Sequence, residues 1–148
     1  MSGQHQQPVI LLVEDNPDDA DLIAYAFRKA GIAATLRIVE DGEKAVDYLA
    51  GTGAHADRDL SPFPVLVLLD LKLPRKSGFE VLDWMRRTAA TRLLTVVVLT
   101  SSNQHADVRR AYEIGANSYL VKPVSRDALL EMVRTLNYYW LFLNQPAA

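Results

Sequence analysis

The sequence VLVLLD at residues 65–70 sets five apolar residues directly before a carboxylate. A continuous run of Val and Leu, rather than an alternating one, predicts a strand that is buried on both faces of a parallel sheet. Similar short runs predict four further strands, near Val9–Val13, Thr35–Val39, Thr95–Leu99 and Ser118–Val121. The chain therefore has the strand content of one parallel sheet.

Each predicted strand is followed by a stretch with helical periodicity. Asn16-Pro17 opens the first helix with an N-cap residue and a proline at the first helical position, and Gly31 ends it. The other predicted helices are Gly42–Ala50, Gly78–Arg87, Gln104–Ile114 and Arg126–Asn144. This alternation predicts an α/β protein of three layers, a doubly wound (βα)5 fold of the flavodoxin type with a five-stranded parallel sheet.

Length and composition favour one domain. The chain has 148 residues, enough for a single core, and 49% of them are hydrophobic. We expect a disordered tail at residues 1–8, a domain at 9–144 and a short tail at 145–148. The polar loop at 51–64 is predicted either as a surface excursion or as a contact element.

Several classes of function are excluded by composition. Sixteen basic and eighteen acidic residues give a net charge of −2, without the positive surplus that binds DNA or RNA. The chain has no cysteine, so disulfides and thiolate metal sites are absent. It also lacks the pattern of a secretory signal and any apolar run of about 20 residues. We expect a soluble, cytoplasmic protein without membrane contact or direct DNA binding.

Carboxylates follow two of the predicted strands. Glu14 and Asp15 come after the first strand and Asp70 after the third. In an open parallel sheet the carboxyl ends of the strands meet at one edge, where ligands bind. Clustered carboxylates repel each other unless a cation neutralises them, and oxygen ligands suit Mg²⁺. We therefore predict a magnesium site, although any one of these acidic residues alone is more often a solvated loop residue or a helix cap.

Asp70 is the best candidate nucleophile at this edge. A carboxylate oxygen can accept a phosphoryl group when cations offset the charge of the phosphoryl oxygens. Lys122, after the fifth strand, would supply one such charge, and Thr100, after the fourth, would donate a hydrogen bond. A lone Thr or Lys is more often structural, so the prediction depends on the whole set of strand-end positions.

The motifs at these strand ends resemble the receiver domain of two-component response regulators, from about Val9 to Asn137. The motifs are VEDN at 13–16, LLDLKLPRKSG at 68–78, LTSS at 99–102 and SYLVKP at 118–123. Each is short, but all four occur in the order of the family, each at a strand end. The resemblance implies a receiver-like fold.

The resemblance also implies a role for each matching residue. Asp70 becomes the phosphoacceptor, and Glu14, Asp15 and Asp70 hold Mg²⁺ together with the main-chain carbonyl of Lys72. Thr100 and Lys122 then bind the phosphoryl group.

Further positions match the family's conformational features. Tyr119 matches an aromatic switch residue, which fills the space that opens when Thr100 moves toward the phosphoryl group and so biases the face of the fourth helix, fifth strand and fifth helix. Without the motifs, a half-buried strand aromatic is the simpler interpretation. Pro74 and Gly78 match the turn after the acceptor, and Lys122-Pro123 matches a cis peptide bond.

The end of the fifth helix has more apolar surface than one sheet face can bury. A stripe at helical spacing is predicted to be core: Leu129, Met132, Val133, Leu136, Trp140 and Leu143. The remaining apolar residues, Tyr138, Tyr139, Leu141 and Phe142, are predicted to form an interface. We expect a homodimer through the fourth helix, fifth strand and fifth helix. The alternative is a tail that folds back on its own domain.

The predicted function is that of a single-domain response regulator which accepts a phosphoryl group from a histidine kinase and is not an enzyme beyond self-dephosphorylation. The chain also resembles stand-alone receivers that serve phytochrome-type histidine kinases. The resemblance lies in the segment DNPDDADL at 15–22, the loop at 51–64 and the aromatic tail ending in QPAA. Two alternatives stay open: a scaffold that is not phosphorylated, and a Mg²⁺-dependent aspartyl-phosphate phosphatase. The phosphatase would need a second aspartate where Lys72 stands.

Overall fold

Five parallel strands form one sheet in the computed structural model, which describes residues 7–147. The strands are β1 (Val9–Val13), β2 (Thr35–Val39), β3 (Leu66–Leu69), β4 (Thr95–Thr100) and β5 (Ser118–Val121). Their order across the sheet is β2-β1-β3-β4-β5. Strand β2 is added on one side of β1, and β3, β4 and β5 are added on the other side. This change of side confirms the doubly wound parallel fold. Of the predicted N-terminal tail, residues 1–6 lie outside the described part, while Gln7 and Pro8 are exposed.

Five α-helices cover the sheet, at the predicted places. They are α1 (Pro17–Lys29), α2 (Gly42–Ala50), α3 (Gly78–Arg87), α4 (His105–Ile114) and α5 (Arg126–Leu136), followed by a π-helix at Asn137–Leu143. A short 3-10 turn, Gly53–His55, lies in the loop before β3. Among residues 7–147 we find no helix with the length and apolar character needed to cross a membrane.

The two faces of the sheet pack against different helices because successive strand side chains point in opposite directions. Ile10, Leu12 and Leu68 lie in the core cluster that includes α1 and α5. Leu11 and Val67 lie in the cluster of α2 and α3. Burial of both faces explains why β1, β3 and β4 are nearly continuous apolar runs.

Local capping sets where two site-forming helices begin. The Asn16 side chain accepts hydrogen bonds from the backbone amides of Asp18 and Asp19, so α1 starts directly after the acidic pair of β1. Helix α3 begins with a capping box, in which Ser77 and Glu80 each accept from the other's backbone amide. The helix ends at the carboxyl edge of the sheet are thus held by side chains nearby in sequence.

The C-terminal helix differs from the prediction. The helical span predicted at Arg126–Asn144 is confirmed as far as Leu143, but it is α-helical only to Leu136 and continues as a π-helix. The wider π-helical turn rotates later residues away from the α-helical stripe. Leu143, predicted as core, is therefore 51% exposed, whereas Leu141, predicted as interface, packs partly buried against the core.

The loop at 51–64 lies on the surface and is anchored to α2. The Arg58 guanidinium donates hydrogen bonds to the carbonyls of Tyr48 and Leu49 at 2.7 and 2.8 Å. In return, the Tyr48 hydroxyl donates to the Pro62 carbonyl at 2.7 Å. These contacts satisfy carbonyls at the C-terminus of α2, which helical hydrogen bonding leaves free.

Candidate functional site

The three predicted carboxylates meet at the carboxyl edge of the sheet. Strands β1 and β3 are neighbours at its centre, so Glu14, Asp15 and Asp70 each offer an oxygen, and these oxygens lie within 4.8 Å of one another. Glu14 and Asp70 are buried, at 3% and 6% exposure, and Asp15 is exposed. The site is therefore a partly buried cluster that is open to solvent on the Asp15 side.

Asp70 is held by hydrogen bonds to both carboxylate oxygens. Its Oδ1 accepts from the backbone amides of Leu71 at 2.7 Å and Lys72 at 3.3 Å, and from the Thr100 hydroxyl at 2.7 Å. Its Oδ2 accepts from Lys122 Nζ at 2.9 Å. Because Oδ2 has a single donor among the described residues, it keeps a lone pair for a cation or a phosphorus atom.

Lys122 makes ion pairs with carboxylates from three parts of the chain. Its Nζ lies 2.5 Å from Glu14 Oε1, 3.1 Å from Asp19 Oδ2 and 2.9 Å from Asp70 Oδ2. Burial alone would lower the pKa of Lys122, but hydrogen bonds to Glu14 and Asp70 and their negative charge outweigh it and raise the pKa. The ammonium group is therefore charged throughout the physiological pH range.

Glu14 has a buried oxygen that can accept a second ligand beside Lys122. Burial raises the pKa of Glu14, against the opposing effect of Lys122. Glu14 Oε1 accepts from Lys122 Nζ at 2.5 Å, which uses one of the two lone pairs of this oxygen and leaves the other. A buried acceptor of this kind, beside two other carboxylates, fits a hard divalent cation.

Thr100 and Tyr119 lie on the side of the site formed by β4 and β5. Thr100 is fully buried and turned toward Asp70. Tyr119 is partly buried, packs against the cluster of Leu71 and Phe79, and donates its hydroxyl to the Ser102 carbonyl at 2.9 Å. Burial raises the pKa of the Tyr119 hydroxyl. The predicted movement of this pair is a prediction still to be tested.

The turn after Asp70 depends on close backbone packing at Gly78. A β-carbon on Gly78 would lie 2.1 Å from the Asp70 carbonyl oxygen, a distance that no side chain tolerates. The Gly78 amide also donates to the Leu71 carbonyl at 2.9 Å. Gly78 is thus required because α3 begins against the backbone of the phosphoacceptor candidate.

The predicted cis peptide is wrong, because the Lys122–Pro123 bond is trans. The two isomers of an X–Pro bond differ by only about 0.5–1 kcal/mol, so the dipeptide by itself does not determine the isomer. The role of the Lys72 main-chain carbonyl as an additional metal ligand stays a prediction.

Asp19 is the site residue that sequence reasoning missed. Its position in the first helical turn predicts only an interaction with the positive end of α1, yet its carboxylate reaches Lys122 across 103 residues of chain. The sequence places Asp19 in the first turn of α1, close to the carboxyl end of β1, but its partner depends on how β5 packs in the sheet.

Comparison with known proteins identifies the family. The model for the response regulator receiver domain matches residues 10–134. Response regulator Rcp1 from Synechocystis is 38% identical over 150 residues, which cover all of both chains.

Solved structures agree with this match. The Mn²⁺-bound form of Rcp1 superposes with a TM-score of 0.85 at 37% identity, over 95% of this chain and 99% of that one. RPA3017, from red light signalling of R. palustris, gives 0.90 at 37% identity over the same shares. The phosphorylated cyanobacterial phytochrome response regulator RcpA gives 0.88 at 32% identity, over 96% and 99%.

The match extends over most of the chain, the fold agrees, and the acidic cluster is of a kind that can hold a divalent metal. This chain belongs to the response regulator receiver domain family of two-component phosphorelay signalling.

Proposed function

We propose that Asp70 accepts a phosphoryl group from a phosphohistidine of a histidine kinase. The observation that carries the proposal is the Asp70 carboxylate held between the Lys122 ammonium, the Thr100 hydroxyl and the acidic pair Glu14 and Asp15. These groups place positive charge and a hydrogen-bond donor beside an oxygen that has a free lone pair. Such an arrangement stabilises a phosphoryl group as it transfers.

The transfer forms one bond and breaks one. A carboxylate oxygen of Asp70 attacks phosphorus, the P–N bond to the kinase imidazole breaks, and the imidazole nitrogen keeps the electron pair. Lys122 offsets charge on the phosphoryl oxygens and Thr100 donates to one of them. Attack of water on phosphorus later breaks the O–P bond, releases inorganic phosphate and restores the carboxylate of Asp70.

The proposed cofactor is Mg²⁺. Glu14, Asp15, Asp70 and the main-chain carbonyl of Lys72 would hold it, consistent with the free lone pair on Glu14 Oε1. When bound, the ion supplies positive charge near the phosphoryl oxygens. We expect Mg²⁺ to raise the free energy of unfolding of the wild type but not that of Asp15→Asn. The control is Asp21→Asn, which removes an exposed carboxylate on α1 and should keep the effect of Mg²⁺.

The direct test is phosphorylation by a small acyl phosphate donor, followed by intact-mass measurement. We expect one Mg²⁺-dependent, hydroxylamine-labile phosphoryl adduct. It should be absent from Asp70→Asn and retained in Asp83→Asn, which removes a half-exposed aspartate that pairs with Arg87 on α3. An adduct that persists in Asp70→Asn would contradict the assignment. If no adduct forms although Mg²⁺ binds, transfer from a phosphorylated histidine kinase separates a donor restriction from a scaffold.

The proposed partner is a phytochrome-type histidine kinase. Similarity to Rcp1, RcpA and RPA3017 over nearly the whole chain supports this choice. We place the protein in the cytoplasm, since that is where a kinase takes its phosphoryl group from ATP, and we assign it no DNA contact because its net charge is −2. Self-dephosphorylation is its only expected reaction, since Lys72 stands where a phosphatase would need an acid.

We also propose that the protein forms a homodimer through α4, β5, α5 and the π-helix. Its support is the exposed aromatic surface of Tyr138, Tyr139 and Phe142, at 60%, 49% and 77% exposure. Tyr138 and Phe142 stack with ring centroids 6.0 Å apart, so they present one apolar surface. Leu141 is not part of this surface, because it packs on the core.

A further inference from the structure

Three carboxylates share the ammonium group of Lys122, and they differ in exposure. The side chains of Glu14 and Asp70 are 1% and 8% exposed, while that of Asp19 is 37% exposed. Returning a carboxylate to water costs least where the carboxylate already contacts water. Asp19 is therefore the partner that Lys122 can release most easily.

The ammonium group has three protons and faces three acceptors. Phosphorylation replaces the single negative charge of the Asp70 carboxylate with about two on the phosphoryl group, and it adds three acceptor oxygens at the same place. Lys122 can donate to a phosphoryl oxygen only by turning away from one of its carboxylates. The negative charge of Asp19 would also repel the phosphoryl group at short range.

Asp19 is held where this competition can occur. Its backbone amide donates to the Asn16 side chain at 3.1 Å, and the Asn16 amide donates to Glu14 Oε2 at 3.1 Å. The start of α1 thus fixes Asp19 relative to Glu14. Asp18, the adjacent residue, is equally part of the first helical turn and of the same cap, but it is exposed and does not pair with Lys122.

We propose that Asp19 is a positioning residue that competes with the phosphoryl group for Lys122. In the unphosphorylated protein it holds the ammonium group toward α1, and it releases the ammonium group when the phosphoryl group arrives. Asp19 thereby disfavours the phosphorylated state. This inference rests on the proposed function of Asp70 and Lys122.

The test measures the affinity of the full chain for beryllofluoride, a tetrahedral mimic of the phosphoryl group, by calorimetry at a fixed Mg²⁺ concentration. Asp19→Asn keeps the size of the side chain and removes its charge. We expect it to bind beryllofluoride about three- to tenfold more tightly than the wild type. Asp18→Asn, which removes the same charge from the same helical turn, should stay within about twofold of the wild type.

A merely structural role for Asp19 would not give this result. Disturbance of α1 by Asp19→Asn would weaken binding of both Mg²⁺ and beryllofluoride, and would lower the unfolding temperature below that of Asp18→Asn. Equal affinities of the two variants for beryllofluoride, or weaker binding by Asp19→Asn, would overturn the inference alone. Absence of Mg²⁺-dependent beryllofluoride binding by the wild type would overturn the proposed function and the inference together.

Discussion

Hydrogen bonds to Asp70 combine local and distant parts of the chain. The amides of Leu71 and Lys72 are supplied by the turn that follows β3, so they would be present in any similar turn. Thr100 and Lys122 come from β4 and β5 and reach Asp70 because parallel strands end at one edge. The residue types at strand ends were therefore predictable, whereas the third partner of Lys122, Asp19, was not.

At this scale we predict the effect of Thr100→Val, which keeps the side-chain shape and removes the hydroxyl. Loss of a hydrogen bond to a charged group is worth about 1.5–3 kcal/mol, so transfer to Asp70 should slow about 10- to 100-fold. The measurement is the rate of adduct formation by intact mass at saturating Mg²⁺.

Thr91→Val is the matched control. Thr91 is also fully buried, and its hydroxyl donates to the Met85 carbonyl at 2.8 Å, away from the site. Both variants should lose about 1–2 kcal/mol of stability. An unchanged rate in Thr100→Val, or an equal loss of rate in Thr91→Val, would rule out a direct role for the Thr100 hydroxyl.

Helix α3 and the loop at 51–64 show which features of an element the sequence predicts and which depend on tertiary packing. Helix α3 was predictable from its periodicity, and Gly78 from the family motif, but the reason for the glycine is the contact with the Asp70 carbonyl. The loop could be predicted only as surface or contact, because the anchoring bonds of Arg58 and Tyr48 depend on tertiary packing.

Gly78→Ala should disturb the site as well as the fold. The added methyl would meet the Asp70 carbonyl oxygen and the Leu71 α-carbon, which lies 2.7 Å away, so the backbone under the acceptor must move. We expect a loss of about 1–3 kcal/mol in urea unfolding and slower adduct formation by the folded protein. Ser77→Ala, which removes the adjacent cap, should lose about 1 kcal/mol with little change in rate. Equal rates in the two variants would contradict this explanation.

Tyr48→Phe tests how the loop is anchored, through a dependence on pH. Burial raises the pKa of the Tyr48 hydroxyl above its ordinary value of 10.0, against the opposing charges of Arg37 and Arg58. Above pH 10 the unfolded chain therefore loses this proton before the folded protein does, so the free energy of unfolding falls as pH rises.

We expect Tyr48→Phe to cost about 0.5–1.5 kcal/mol at pH 8, from the lost bond to the Pro62 carbonyl. The cost should shrink between pH 10 and 11, because phenylalanine has no proton to lose. Urea unfolding of both proteins at each pH measures this difference. A cost that stays constant or grows with pH would be inconsistent with a raised pKa.

At the scale of the whole molecule, the two ends of the sheet differ in character. The carboxyl edge carries the charged site, while the opposite edge carries the C-terminal π-helix with its exposed aromatic residues. The aromatic surplus was evident from composition, but which residues face outward depended on the π-helical turn. That turn exchanged the expected environments of Leu141 and Leu143.

Phe142→Glu should weaken the proposed dimer. Placing a charge at a 77% exposed aromatic position would desolvate that charge in the interface, so we expect dimerisation at least tenfold weaker. Sedimentation velocity over a range of concentrations measures it. Leu60→Glu, at a 68% exposed position in the loop before β3, should have no effect. A concentration-independent monomer mass of the wild type, with and without phosphorylation, would exclude the dimer.

The sequence by itself determined the α/β class, the places of strands and helices, and the strand-end set of Glu14, Asp15, Asp70, Thr100 and Lys122. These follow from periodicity and from the rule that parallel strands end together, both of which are readable along the chain. Tertiary structure alone decided the ion pair of Asp19 with Lys122, the trans Lys122–Pro123 bond and the π-helical end of the chain. Each of these depends on how segments distant in sequence fit together, since local energies differ too little to choose among the alternatives.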